Sequence, residues 1–140
     1  MTQRQSQPAA KPVPESDQTM APFFDGAKRG ELVIQRCKDC RAYLAPGAIL
    51  CTECLSESLE WVRASGRGTL FTFGIMHQRY HPGFFGEIPY NVAVVELEEG
   101  PRLNTNIVGV ANSALTIGMR VVVTFDKLAP DVAVPKFKPA

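Results

Sequence analysis

A mostly β fold, opened by one short helix, is predicted by three features of this 140-residue sequence. All four cysteines fall in two Cys-x-x-Cys pairs between positions 37 and 54, a spacing typical of small metal-stapled sheets. Five short runs of alternating or β-branched apolar residues follow between positions 69 and 137. One short stretch near position 20 has the start and stop residues of a helix instead. The expected order is therefore helix, four-cysteine module and β-sheet.

The first 19 residues are rich in Gln, Pro, Ala and Ser and lack a periodic apolar pattern, which predicts a disordered arm over 1–19. No apolar run approaches the roughly 18–20 residues that cross a bilayer, and the start lacks the apolar centre of a signal peptide. With 45% hydrophobic and 21% charged residues, the sequence is typical of a soluble globular protein. We expect it in the cytoplasm.

Residues 20–30 carry the signals of a short helix. Pro22 suits its first turn and Gly30 supplies its stop, while Phe23 and Phe24 form an aromatic edge between them. Because a helix this short is marginal in water, both rings need something to pack against. We expect packing within this chain, and the alternative is docking on a partner.

The cysteine pairs are flanked by short predicted strands. Residues 31–36 form a strand that leads directly into Cys37. Residues 41–50 contain a strand, a Pro-Gly turn and a second strand that delivers Cys51. This is the layout of a zinc ribbon, in which two metal-bearing knuckles lie at the end of a small antiparallel sheet.

The expected metal ligands are the thiolates of Cys37, Cys40, Cys51 and Cys54. In a reducing compartment, paired cysteines are better explained as ligands than as disulfides. Four sulfurs fill a tetrahedral shell and leave no open position for water or substrate, so we predict a structural zinc site. So small a module buries little apolar surface, and its folding is expected to depend on the metal. The same sulfurs could also hold one iron, as in rubredoxins.

The second half of the chain is predicted to form a small barrel. The glycine-bearing link at 65–69 lacks the lysine of a phosphate-binding loop and is interpreted as a strand entry. Five short strands in about seventy residues favour the OB-fold, a partly open five-stranded barrel. The predicted strands cover residues 69–76, 90–97, 102–108, 117–125 and 132–137. The predicted divisions are an arm over 1–19, a helix plus zinc ribbon over 20–62, and the barrel over 63–140.

Two phenylalanines on the first barrel strand allow two interpretations. Phe71 and Phe73 lie two residues apart, so both side chains are expected to point into the barrel core. The alternative is that they stack single-stranded nucleic-acid bases, since OB-folds and zinc ribbons both bind nucleic acids. A net charge of +1 argues against this partner, because groove binders normally carry a basic track.

The loop at residues 78–90 carries four aromatic rings. Such a loop either folds back onto the barrel or presents its rings to a partner, and the sequence leaves both possibilities open. His77 and His81 lie in or beside it, but no serine, cysteine or carboxylate set accompanies them. We therefore predict no catalytic residues and expect the protein not to be catalytic on its own.

The order of short motifs along the chain resembles one known family. The motifs are Phe23-Phe24, Cys37-Lys38-Asp39-Cys40, Cys51-Thr52-Glu53-Cys54, Ser65-Gly66-Arg67-Gly68-Thr69, Val95-Glu96-Leu97-Glu98-Glu99-Gly100-Pro101-Arg102 and Ile117-Gly118-Met119-Arg120-Val121. From about residue 20 to the C-terminus they are similar to the zinc-ribbon OB-fold family formerly called domain of unknown function 35. The resemblance implies an N-terminal helical segment, a rubredoxin-like ribbon and an OB barrel. It also implies a small companion of thiolase-like enzymes, or of acyl-CoA hydratases or aldolases.

The main functional expectation follows from this resemblance. It is a noncatalytic zinc-containing subunit of an acyl-CoA carbon–carbon bond-forming or cleaving complex, docked on a thiolase-like enzyme as a hetero-oligomer and supporting its acyl-CoA site. A companion of an acyl-CoA hydratase or aldolase is the alternative. The expected partner or CoA contacts are rings and phosphate-pairing arginines with their neighbours, namely Phe23, Phe24, Arg67, Arg79, Tyr80, His81, Phe84, Phe85, Tyr90 and Arg102.

Overall fold

A computed structural model describes residues 10–140 and shows the predicted mostly β fold. Within that range the chain forms one α-helix and eight strands, which are numbered here in chain order. They are α1 (Ala21–Lys28), β1 (Val33–Cys37), β2 (Tyr43–Leu44), β3 (Leu59–Arg63), β4 (Arg67–Met76), β5 (Tyr90–Leu97), β6 (Arg102–Thr105), β7 (Arg120–Ala129) and β8 (Val132–Pro139). None of the described helices is long and apolar enough to cross a membrane.

The arm predicted over 1–19 lies partly outside the described residues, at 1–9. Residues 10–17 contain no helix or strand. Lys11 nevertheless contacts the aromatic loop, because its Nζ lies 2.5 Å from Glu87 Oε1 and 5.7 Å from the centre of the Phe84 ring. Gly83 permits this approach, since an added Cβ there would lie 2.7 Å from Lys11 Cα. The disorder of the arm stays a prediction.

Helix α1 has the predicted start and stop. Pro22 lies in its first turn, and Gly30 ends the helical stretch with a left-handed φ of 76°. Phe23 packs against the main hydrophobic core, as expected for packing within the chain, and meets the Phe24 ring edge-on at 5.3 Å between centroids. The helix is therefore an integral part of the fold.

The ribbon sheet is antiparallel, with the strand order β2-β1-β3. β3 pairs along all of β1, an arrangement that the cysteine spacing did not indicate. The prediction of a second strand within residues 41–50 is wrong, because β2 has two residues and residues 45–50 contain a turn and a bend but no strand. The physical reason is that Gly47 turns the chain away with a φ of 95°, and the Ala48 backbone bonds to the Gln35 side chain rather than to a strand.

The barrel sheet has the strand order β6-β5-β4-β7-β8. It curls so that the segment after β6 meets β8 in a parallel bridge between Ile107 and Phe137. Val108 N–H donates to Phe137 O at 2.8 Å, and Phe137 N–H donates to Asn106 O at 3.1 Å. This order and its parallel closure are those of the five-stranded OB-fold, which confirms the predicted architecture.

The main hydrophobic core is shared by the ribbon and the barrel. Leu32 and Ile34, at the start of the ribbon sheet, belong to the same buried cluster as Leu70, Val95 and Phe137 of the barrel. Consecutive residues of β1 are buried on both faces, as expected for a strand covered on each side. β1 is therefore a structural link between the four-cysteine ribbon and the barrel.

The two phenylalanines of β4 do not share a face, so the expectation that both point inward is wrong for Phe71. A β-bulge shifts the register between Leu70 and Thr72, so that Phe71 has no partner on β5. Leu70 and Phe73 take the inward positions, while Phe71 points outward and is 43% exposed. The Arg102 guanidinium covers one face of its ring, 3.7 Å from the ring centre.

Candidate metal centre and partner surface

The structure brings together the sulfurs of the four predicted ligands. All four Sγ atoms lie within 4.8 Å of one another. Two contacts cross between the pairs, at 3.6 Å from Cys37 to Cys54 and at 3.5 Å from Cys40 to Cys51. Because metal–sulfur bonds of about 2.3 Å place the corners of a tetrahedron about 3.8 Å apart, the cage has the size of a tetrahedral thiolate site. These four cysteines are positioned to bind a metal ion.

The two knuckles that carry the sulfurs have the same local geometry. In each, the carbonyl of the first cysteine accepts a hydrogen bond from the N–H four positions on, at 3.0 Å for Cys37 and 2.9 Å for Cys51. The N–H of the same cysteine donates to the carbonyl five positions on, at 2.9 and 2.8 Å respectively. In both pairs the first cysteine is buried and the second is exposed. The repeat explains how two separate segments present sulfurs to one point.

Each knuckle turns back through a left-handed residue that is not glycine. Arg41 follows Cys40 with a φ of 68°, and Leu55 follows Cys54 with a φ of 63°. An L-residue pays a steric cost in this conformation because its Cβ approaches the following carbonyl. Closing the knuckles around the sulfurs therefore stores some backbone strain.

The electrostatics of the sulfur cluster favour a bound cation. The Cys40 N–H donates to Cys37 Sγ at 3.5 Å, and this hydrogen bond, outweighing burial, lowers the pKa of Cys37 to about 6. A hydrogen bond from the Ala42 backbone stabilises the Cys40 thiolate, but the neighbouring sulfurs, Cys51 foremost, outweigh it and raise the pKa of Cys40 to about 12. The Cys40 thiol therefore resists ionisation beside its neighbours, a repulsion that a divalent metal ion in the cage would relieve.

The buried sulfurs pack against a small cluster of apolar residues. Cys37 and Cys51 form a buried cluster with Leu44, and Ala42 and Leu59 pack against it. This cluster is separate from the main core. The sulfur cage therefore lies in a part of the chain that has little apolar packing of its own.

Some rings of the aromatic loop pack against one another, while others are exposed to solvent. Phe84 packs against Tyr90 with 5.7 Å between ring centres, and His81 meets Phe84 edge-on at 6.0 Å. Tyr80 is 69% exposed, and Phe85 is also exposed. The loop therefore anchors itself with one set of rings and offers another set to the surroundings.

The predicted phosphate-pairing arginines each contact a different group of this chain. Arg79 stacks on Phe85 in the aromatic loop, with 5.4 Å from its guanidinium carbon to the ring centre. Arg102 pairs with Glu96 at 3.1 Å, and Arg67 pairs with Glu98 at 2.9 Å. Arg67 also lines an open hollow of about 550 Å³ that the sequence did not indicate, together with Thr69, Glu96, Glu98 and Arg120.

His81 and Glu87 of the aromatic loop each have a bonding partner among the described residues. His81 Nδ1 accepts a hydrogen bond from the Gly83 N–H at 3.0 Å and so caps the 3₁₀ turn Pro82–Glu87. Glu87, the acid of the same loop, is paired with Lys11. His81 and Glu87 therefore both help to hold the loop together, and the expectation that neither histidine is a general acid or base stays a prediction.

Family models of known proteins match both the ribbon and the barrel of this chain. Family models described as the ChsH2 rubredoxin-like zinc ribbon domain and the ChsH2 C-terminal OB-fold domain match residues 24–60 and 61–126. The chain is 32% identical over 101 residues to a DUF35 domain-containing scaffold protein of Methanocaldococcus jannaschii, covering 71% of each protein.

Two further similarities concern acyl-CoA enzymes and an aldolase. A probable enoyl-CoA hydratase alpha subunit of Thermomonospora curvata is 40% identical over 132 residues, which are 94% of this chain and 41% of that protein. The chain therefore spans less than half the length of this relative. A solved chain of an Ltp2-ChsH2(DUF35) aldolase superposes with a TM-score of 0.81 at 40% identity, covering 90% of this chain and 98% of that one.

Proposed function

The chain belongs to the DUF35 family of zinc-ribbon OB-fold proteins, and from this membership we propose that it is a noncatalytic, zinc-containing companion subunit of an acyl-CoA enzyme. The observation that carries the proposal is its likeness, at 40% identity and over 98% of the solved chain, to the ChsH2(DUF35) aldolase structure. The described residues assemble a closed sulfur cage and an exposed ring surface but no nucleophile, base and oxyanion set. Binding rather than chemistry is the role that this arrangement supports.

Zinc is the metal that we propose for the cage. Cys37, Cys40, Cys51 and Cys54 would hold it, and their soft thiolates and tetrahedral spacing suit Zn²⁺, with iron as the second choice. When bound, the ion supplies a cross-link between the two knuckles. Four sulfur ligands leave no position for substrate, so the residues around the ion keep the ribbon folded and take no part in bond making.

The proposed docking surface is the outward side of the aromatic loop. Tyr80 and Phe85 expose large rings there, and Arg79 stacks on one of them. Rings and arginines of this kind dominate protein–protein hot spots because they bury much area with few rotatable bonds. Phe84 and Tyr90 fix the loop from beneath, so the exposed rings are held ready for a partner.

The proposed partner is a thiolase-like enzyme that makes or breaks carbon–carbon bonds. This choice rests on the family resemblance of the sequence motifs, whereas the match to 98% of the aldolase chain and the likeness to a hydratase alpha subunit support the alternative, a companion of an aldolase or a hydratase. Direct CoA contact is a lesser part of the proposal, because Arg67 and Arg102 would have to leave Glu98 and Glu96 to meet phosphates. Calorimetric titration with CoA tests that part separately.

The decisive experiment is copurification from cells that express the protein at its native locus, followed by assay of the acyl-CoA enzyme recovered. We expect a thiolase-like, aldolase or hydratase subunit to copurify and its activity to depend on the added companion. The double variant Tyr80→Ser/Phe85→Ser should lose the complex, whereas Ile117→Ser, which alters an exposed apolar residue elsewhere, should keep it. If no such enzyme copurifies and none changes activity, the proposal is wrong.

The nucleic-acid alternative gains one feature from the structure, the exposed Phe71 ring. That ring is already covered on one face by Arg102, which in turn is held by Glu96. Acidic neighbours oppose a phosphate backbone, so the observation favours docking over base stacking. Binding of single-stranded oligonucleotides with a steep salt dependence would reverse this preference.

A further inference from the structure

We propose that Gln35 is a positioning residue of the metal centre, which holds the loop that delivers Cys51. The inference rests on the metal-binding part of the proposed function. Gln35 lies on β1 two residues before Cys37, and its side chain is buried, with the residue 5% exposed. Its Nε2 donates to Ala48 O at 3.0 Å, and the Ala48 N–H donates to its Oε1 at 2.8 Å. Two reciprocal bonds therefore join the first half of the ribbon to the second.

The two hydrogen bonds between Gln35 and Ala48 replace those that a neighbouring strand would make. A side-chain amide that both donates to and accepts from one backbone residue reproduces the bonding of a peptide group in an antiparallel ladder. No strand covers residues 45–50 in the described chain, so their backbone lacks ladder partners. Gln35 supplies those partners from the middle strand of the sheet, where its own backbone pairs with Leu44 and Trp61.

The position of the contact explains why it affects the metal. Ala48 lies three residues before Cys51, at the near end of the second knuckle. At the far end the knuckle is tied down by the Lys38 N–H, which donates to Ser58 O at 2.8 Å, and by the Ser56 hydroxyl bonded to Asp39. Among the described hydrogen bonds, the Gln35 pair is what fixes the near end. Groups that orient ligands in this way typically change metal affinity about 10–100-fold when removed.

The barrel contains a matched control for this contact. Asn91 is also 5% exposed, and its Nδ2 donates to Ile107 O at 2.8 Å while the Ile107 N–H donates to its Oδ1 at 2.7 Å. The reciprocal pair is the same, with one further bond from Asn91 Nδ2 to Asn112 Oδ1 at 3.1 Å, but the residue lies in the barrel rather than in the ribbon that carries the four cysteines. Loss of Asn91 should therefore destabilise the fold without loosening the metal site.

The test measures zinc release to a chromophoric chelator and the visible spectrum of the Co²⁺-substituted protein. Gln35→Met has similar volume and lacks both hydrogen bonds, and we expect it to release zinc about tenfold faster or more, with altered Co²⁺ bands. Asn91→Leu should lower the unfolding temperature while keeping the release rate within about twofold and the Co²⁺ bands unchanged. Gln35→Glu keeps the bond from the Ala48 N–H but places a second oxygen against Ala48 O, and it should also release zinc faster than wild type.

The outcomes separate this inference from the zinc proposal. If the wild-type protein gives no tetrahedral thiolate spectrum with Co²⁺, the metal assignment fails. If it does, but Gln35→Met releases zinc at the wild-type rate, the positioning role is wrong. Equal acceleration by Asn91→Leu would also overturn it, because the effect would then follow global stability. Should Gln35→Met not fold, Gln35→Glu decides the question by the same two readouts.

Discussion

At the scale of single residues, Leu55 combines two unfavourable features. Its backbone is left-handed, with a φ of 63°, and its apolar side chain is 72% exposed. The knuckle needs this conformation because the Leu55 N–H bonds back to Cys51 O at 2.9 Å. Neither the left-handed backbone nor the exposed apolar side chain stabilises the isolated chain. Relief of the strain at this position should therefore appear as a gain in stability.

Leu55→Gly should stabilise the zinc-bound protein by about 0.5–1 kcal/mol, because glycine adopts a positive φ without the Cβ clash. Urea denaturation with excess zinc measures the change in the free energy of unfolding. Leu55→Ala is the control, since it removes the apolar side chain but keeps the Cβ. A glycine variant no more stable than the alanine variant would contradict the strain.

At the scale of elements, an ion pair ties the β5–β6 turn to the start of β4. Arg67 donates to Glu98 at 2.9 Å, and the Glu98 N–H donates to Arg67 O at the same distance. The Arg67 hydrogen bond lowers the pKa of Glu98 below its ordinary value. The charged pair is exposed, so its contribution is small and sensitive to salt.

Glu98→Gln should therefore lower stability at neutral pH and lose this effect in acid. Because the folded pKa is depressed, the stabilisation is present above the unfolded carboxyl pKa of about 4.3 and disappears as pH falls through the folded value. Denaturant unfolding of wild type and Glu98→Gln at a series of pH values down to this region measures the difference. A stability difference between wild type and Glu98→Gln that grows in acid would show that the Arg67–Glu98 ion pair is not its cause. Glu99→Gln serves as the control at the neighbouring residue.

The elements also show what the sequence could predict. The cysteine spacing and the alternating runs correctly predicted the sulfur cage and the strands of the barrel, because both depend on local periodicity. Phe71 could not be placed, since a β-bulge is set by pairing with β5 rather than by the residues of β4 alone. The second ribbon strand was predicted from a Pro-Gly turn, but the side chain of Gln35, ten or more residues away, bonds the backbone there instead. Both wrong predictions, for Phe71 and for the second ribbon strand, concern features that are set by contacts between residues distant in sequence.

At the scale of the whole molecule, the shared core makes the ribbon and the barrel depend on each other. Ile34 is fully buried and lies on the ribbon strand, yet it packs with Leu70, Val95 and Phe137. The smaller cluster of Cys37, Leu44 and Cys51 serves the metal site alone. A substitution in the main core should therefore destabilise both ribbon and barrel, whereas one in the smaller cluster should mainly affect the metal site.

Ile34→Ala should therefore destabilise the zinc-bound protein by about 2–5 kcal/mol, the range for truncating a large apolar core residue. The fluorescence of Trp61 on β3 and the far-UV circular dichroism of the barrel should lose signal together, because one core supports both. Leu44→Ala is the matched truncation in the smaller cluster, and it should speed zinc release while shifting the barrel transition less. Separate Trp61 and barrel transitions in zinc-bound wild type would show instead that the modules fold independently.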